Sequence, residues 1–225
     1  MSINKEIRKG IFHSAIFKYA QYFVNLLVSM VLARLLTPEE FGVVAVINVA
    51  VLFFLMLSAF GLGEAIVQNP DLTDHDLYSL FIISIFFAII FSLGFYLTGN
   101  LVANFYSNSE YIKITHLLSL SLFFHTANTI PYHYLRKVQK FKLLGSITLV
   151  TSILAGITAI ILAVYGFSYY SLVYKSIFET FLNFILCLKF IRIKVHRKIS
   201  FDAFYKYLGY SFFQFLQLRS PHHIH

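Results

Sequence analysis

The chain has 225 residues, 58% of them hydrophobic and only 12% charged, with a mean hydropathy of +0.73. That composition excludes an ordinary soluble domain, and a single cysteine, Cys187, excludes an internal disulfide or a cysteine metal cluster. The formal charge of +8 would suit a nucleic-acid binder, but the basic residues gather at the ends of apolar runs, which points to membrane topology and not to nucleic acid.

Six apolar stretches, residues 11–36, 41–62, 78–97, 114–135, 143–165 and 167–190, are each long enough for a helix to cross a bilayer. Backbone groups in hydrocarbon must bond within their own segment, so helices are expected. The short alternating runs of barrel strands are missing. The first stretch reads as a retained helix. Lys5, Arg8 and Lys9 precede an apolar run that ends at Thr37-Pro38-Glu39-Glu40, not at a small-residue cleavage site. A seventh stretch, residues 201–218, begins in the same style and gives way to the tail 219–225. The expected fold is an all-α polytopic membrane protein: a six-transmembrane-helix bundle over residues 1–200, then a partial seventh helix and tail over 201–225. The chain reads as the front half of something longer.

Lys5, Arg8 and Lys9 precede the first stretch, Arg136, Lys137, Lys140 and Lys142 join the fourth and fifth, and Lys189, Arg192, Lys194, Arg197 and Lys198 follow the sixth. With six crossings these clusters share one side, while the opposite links carry only Arg34 and Lys113. By the positive-inside rule the N-terminus is expected in the cytoplasm, with anionic membrane lipids as secondary partners. One link on that side, residues 64–77, departs from the trend, carrying Glu64, Asp71, Asp74 and Asp76 and no Lys or Arg.

Polar residues inside membrane helices usually face a bundle interior or a wet cavity. In the first stretch Ser14, Lys18, Gln21, Asn25 and Ser29 recur every three or four residues and so share one face. They read either as a cavity wall, with Lys18 offering charge to an anionic head group, or as interhelical hydrogen-bonding groups with Lys18 snorkelling to the surface. In the fourth, Ser121, His125, Asn128 and Tyr132 share a face, and Pro131 is a candidate kink. His125 is open to a packing role or a transport role. In the fifth, Ala155, Ala159 and Ala163, with Ser152 and Gly156, form a small-residue stripe for close packing. In the sixth, Ser171, Lys175, Glu179 and Asn183 run at steps of four, so Lys175 and Glu179 can pair in place or mark a substrate site. The candidate cavity residues are thus Lys18, Gln21, Asn25, His125, Asn128, Lys175 and Glu179.

Rival chemistry is thin. Asp71, Asp74, His75 and Asp76 could suggest a metal site, but Thr73 three residues before Asp76 and ahead of an apolar run is the pattern of a helix capping box. The histidines of the tail, His222, His223 and His225, are assigned no function. A phosphate loop, paired external carboxylates and a nucleophile triad are all missing, so no catalytic residue, metal or cofactor is expected.

Three words at helix boundaries carry a resemblance: ARLLTPEEFGVVAVI at residues 33–47, GLGEAIVQNPDLT at 61–73 and LRKVQKFKLLG at 135–145. In this order and register the chain resembles the Wzx-type polysaccharide flippases of the multidrug, oligosaccharidyl-lipid and polysaccharide exporter superfamily. The resemblance covers about residues 9–213. It implies the N-terminal lobe of a two-lobe exporter in the bacterial cytoplasmic membrane, moving undecaprenyl-diphosphate-linked oligosaccharide by alternating access. The polar faces would line its cavity and Lys18 would meet the diphosphate. It also implies a C-terminal lobe missing here, or a second copy in its place, and a polysaccharide polymerase as partner. Competing readings are a drug exporter of the same superfamily, a membrane glycosyl- or acyltransferase, and an inactive membrane fragment. The three words favour the polysaccharide branch.

Overall fold

A computed structural model describes residues 3–58, 62–69, 72–191 and 193. Every element among them is helical: α1 Ile3–Leu35, α2 Pro38–Ser58, α3 Leu62–Gln68, α4 Asp74–Tyr106, α5 Glu110–Ala127, α6 Thr129–Lys137, α7 Phe141–Val164 and α8 Tyr170–Phe190. Among the described residues five helices are long and apolar enough to cross a membrane: α1 over Ser14–Leu35, α2, α4, α7 and α8. The chain is a multi-pass membrane protein. The fourth stretch differs from the single helix expected of it. It divides at Asn128 into α5 and α6, which follow one another directly. Pro131 explains the break, because its ring crowds the carbonyl four residues back, at Ala127, and it has no N–H to offer. The partial seventh helix and the tail lie outside the described residues.

The expected cap forms, and a second, unforeseen one forms with it. Thr73 N donates to Asp76 Oδ2 at 3.3 Å and Asp76 N donates to Thr73 Oγ1 at 3.1 Å, so the acidic link starts α4. The same arrangement starts α2, where Thr37 N donates to Glu40 Oε2 at 2.6 Å and Glu40 N to Thr37 Oγ1 at 3.3 Å. Pro38 occupies the first helical position there, where its missing N–H costs nothing.

Packing follows the small residues. α1 lies along α7, where a Cβ on Gly145 would sit 2.6 Å from Phe17 Cβ and one on Gly156 would sit 2.5 Å from Val28 Cγ2. Val28, Leu32 and Leu36 then close over Ala159 and Ala163. This is the close approach that the stripe on α7 predicts. α4 packs on α5, with Ser92 Oγ donating to the Ser119 carbonyl at 2.7 Å, and α8 sits between α5 and α7. α2 packs on α4 and α5, so the chain's first two helices belong to opposite sides of the bundle.

The link between α2 and α4 is not merely polar, as the short helix α3 within it docks on α6. Arg136 Nη1 donates to Glu64 Oε1 at 2.7 Å, and Lys137 Nζ donates to the carbonyls of Ile66, at 3.2 Å, and of Asn69. A Cβ on Gly63 would lie 2.4 Å from the His133 ring, so any side chain there would have to push that ring aside. Beneath it Ala65, Ile66, Leu77, Ile130, Leu135 and Ile147 form one buried apolar cluster.

Candidate functional site

Three adjoining cavities run along the bundle between α1, α2, α5, α6, α7 and α8. The first, about 550 Å³, is lined by Ser14, Lys18 and Gln21 of α1, Tyr132 and Arg136 of α6, and Phe141, Leu144, Gly145 and Thr148 of α7. The second, about 410 Å³, shares Tyr132 and Thr148 with it and adds His125, Asn128, Thr129 and His133, with Glu179, Thr180 and Asn183 of α8. The third, about 400 Å³, shares Glu179 and Thr180 with the second and adds Lys175, Ser176 and, from α2, Asn48. The shared walls make one polar groove. It begins at the end of the bundle that carries Arg136 and continues along α8 past Glu179 to Lys175.

The structure brings most of the sequence-derived residues to this groove. Lys18 and Gln21 line its first cavity, and Lys18 Nζ sits 5.9 Å from the centroid of the Tyr22 ring. Asn25 lines none of the three cavities and is a junction between helices. Its Oδ1 accepts from Ser152 Oγ of α7 at 3.0 Å and from Lys175 Nζ of α8 at 3.3 Å. His125 is exposed on the wall of the second cavity. Asn128, at the break between α5 and α6, donates through Nδ2 to Asn183 Oδ1 at 3.0 Å, and Asn183 donates onward to Thr151 Oγ1 at 3.3 Å. The Asn128 Oδ1 atom is buried and has no donor. The local ion pair expected between Lys175 and Glu179 does not form. Lys175 turns to Asn25, and Glu179 has no hydrogen-bond or ion-pair partner among the described residues.

Other members of the polar faces serve packing. Ser121 is buried between α5 and α8, its hydroxyl 2.8 Å from that of Ser176. Ser171 is buried at the start of α8 and donates to the Ser168 carbonyl at 2.8 Å. Cys187 is buried in the apolar cluster under α3, as the small filler expected of it.

Arg136, His133, Thr148 and Thr180 also line the groove, and the sequence reading does not single them out as site residues. A signal for Arg136 exists: it continues the Ser121, His125, Asn128, Tyr132 face by one more step of four.

Two carboxylates at the other end of the bundle, Glu40 and Glu110, are engaged. Glu40 caps α2 and accepts from Ser168 Oγ. Glu110 accepts from Lys113 Nζ at 2.9 Å and from the hydroxyls of Tyr169 and Tyr170 at 2.8 and 2.9 Å. The Lys113 ammonium and the two phenols hold the Glu110 carboxyl down at about 2, and Lys113 is raised in return. Both side chains are partly open to solvent, so this cluster ties α5 to α8 at the surface without storing much energy.

The family model described as "Polysaccharide biosynthesis protein" matches residues 31–218, well over half of the chain. The chain is similar to the succinoglycan biosynthesis transport protein ExoT of Rhizobium meliloti, 25% identical over 168 residues, or 75% of this chain and 34% of that protein. It is similar to the lipopolysaccharide biosynthesis protein WzxC of Escherichia coli, 23% identical over 72% of this chain and 33% of that protein. It is also similar to the teichuronic acid biosynthesis protein TuaB of Bacillus subtilis, 23% identical over 68% of this chain and 32% of that protein. The chain thus spans about a third of the length of these relatives. No solved structure matches it. With boundary words, helical architecture and family match in agreement, the chain belongs to the polysaccharide biosynthesis protein family that includes the Wzx-type flippases.

Proposed function

We propose that this chain is the N-terminal lobe of a transporter that flips undecaprenyl-diphosphate-linked oligosaccharide across the bacterial cytoplasmic membrane for polysaccharide biosynthesis. The observation that carries this reading is the groove: the polar faces of α1, α5, α6 and α8 converge on three adjoining cavities within otherwise apolar helices. Hydroxyls, amides and ring nitrogens suit a sugar chain, and a cationic end suits a diphosphate. In this reading α5 and α6 together make the fourth of six crossings, and the Arg136 end faces the cytoplasm with the N-terminus. The lipid tail stays among the exposed apolar faces in the bilayer. A second lobe, encoded further along or supplied by another copy, closes the groove for alternating access. A polymerase would receive the product on the far side.

A transferase reading is less well supported, because Glu40 and Glu110 are spent on a cap and a surface cluster. The reading is tested by complementation of a flippase-deficient strain with the complete protein and with its Lys18→Gln variant. Restored glycan export that falls in the variant supports it. Complementation without any loss in Lys18→Gln removes Lys18 from the site, and failure of the complete protein to complement sinks the transport reading.

A further inference from the structure

The short helix α6 has two working faces. One lines the first cavity with Tyr132 and Arg136, opposite Lys18, Ser14 and Gln21 of α1. The other holds α3, through Arg136 on Glu64, Lys137 on the α3 carbonyls and His133 against Gly63. Arg136 belongs to both faces. Its ion pair with Glu64 is short at 2.7 Å, but the two side chains keep 41% and 54% of their exposure. Such a pair is screened by water and contributes little, so its guanidinium is exchangeable. A guanidinium and an ammonium in one cavity, with hydroxyls beside them, form the donor set of a phosphate or diphosphate. A doubly charged oxyanion that reached Lys18 would compete with the singly charged Glu64 for Arg136.

We propose that the first cavity binds a diphosphate group through Lys18 and Arg136, and that Glu64 is the resident counter-ion this group displaces, loosening α3 from α6. The inference rests on the lipid-diphosphate reading above for its natural ligand, and deepens it. Glu64 is then a positioning residue. In the empty groove it holds the guanidinium at the cavity mouth and α3 on the bundle. In the filled groove α3 keeps Lys137, the His133–Gly63 contact and the apolar contacts beneath it.

The sign of one substitution separates this role from a merely structural one. If Glu64 only docks α3, Glu64→Gln loosens the mouth and weakens anion binding. If Glu64 competes with the ligand, Glu64→Gln tightens it. The test is titration of the complete protein, in nanodiscs, with inorganic pyrophosphate and separately with a short-chain prenyl diphosphate. The expected results are a roughly two- to five-fold gain in affinity for Glu64→Gln and a loss of about ten-fold or more for Arg136→Gln. Arg136→Lys, which keeps charge and fold, should fall between. A spin label at Gln68→Cys on α3, in a Cys187→Ala background, should gain mobility on ligand addition in the parent and not in Arg136→Gln.

Binding of the prenyl diphosphate alone assigns the cavity to a lipid-linked head group. Equal binding of both probes assigns it to phosphate chemistry at large. Unchanged or weaker binding in Glu64→Gln, a label indifferent to ligand in the parent, or no binding of either probe overturns the proposal. Tighter binding in Glu64→Gln without glycan export would retire the transport reading and leave the anion site standing. Export with no effect of Glu64→Gln would do the reverse.

Discussion

Lys175 Nζ donates to Asn25 Oδ1 at 3.3 Å, across 150 positions of sequence, although Glu179 stands one turn away on the same helix. The same Asn25 oxygen accepts from Ser152, so one amide joins α1, α7 and α8. An ammonium within a membrane helix needs a partner, and a neutral amide already aimed at it serves without burying a second charge. Glu179 is thereby left to face the groove.

The consequence is measurable by double-mutant cycles on unfolding in detergent. Lys175→Met with Asn25→Ala should show a coupling energy of roughly 0.5–1 kcal/mol, the range of hydrogen bonds between membrane helices. Lys175→Gln with Glu179→Gln should be additive within about 0.5 kcal/mol, as for groups that do not interact. A large coupling in the second cycle and none in the first would restore the local ion pair.

The glycines divide into two classes with opposite expected signs. Gly145→Ala and Gly156→Ala force a methyl to within 2.6 Å of Phe17 and 2.5 Å of Val28, so α1 must move off α7. Each should destabilise by about 1–3 kcal/mol. Gly42 lies within α2 and a Cβ there meets nothing within 4 Å. Gly42→Ala should therefore stabilise by about 0.5–1 kcal/mol, through helix propensity alone. Thermal unfolding of the three variants checks both signs.

Those features that depend on local composition were legible in the chain. Apolar length marks the helices because hydrocarbon leaves backbone groups no other partner. Spacing marks the stripe on α7 and the polar faces because helical period is local. Partner choice is not local. The pull of Asn25 on Lys175, the docking of α3 by Arg136 and Lys137, and the burial of Ser121 against Ser176 depend on which helices become neighbours. The break at Asn128 lies between these cases: Pro131 announces a kink, but α6 is held as a separate piece by α3.

The two capping boxes offer a local test. Thr73→Ala and Thr37→Ala each remove the acceptor for a first-turn amide, of Asp76 and of Glu40 respectively. Each should cost about 1 kcal/mol. Hydrogen exchange should rise at those amides and their neighbours, with Thr→Ser restoring protection. Unchanged exchange at Asp76 in Thr73→Ala would mean that the cap contributes nothing to starting α4.

Glu110 supplies a prediction in pH. Its folded-state value is depressed to about 2 from an ordinary 4.5, first by Lys113 and then by the Tyr169 and Tyr170 hydroxyls. A carboxyl depressed on folding stabilises the fold in its ionised form. Its contribution is therefore complete above about 4.5, shrinks as pH falls through that value, and is gone near 2. The cluster is solvent-exposed, so the effect is small and weakens with salt. The measurement is the difference in thermal stability between the parent and Glu110→Gln, followed down in pH. The parent should be the more stable above the window, and the two should converge within it. A difference that persists to the acid end would show that the side chain acts by its shape and not by its charge.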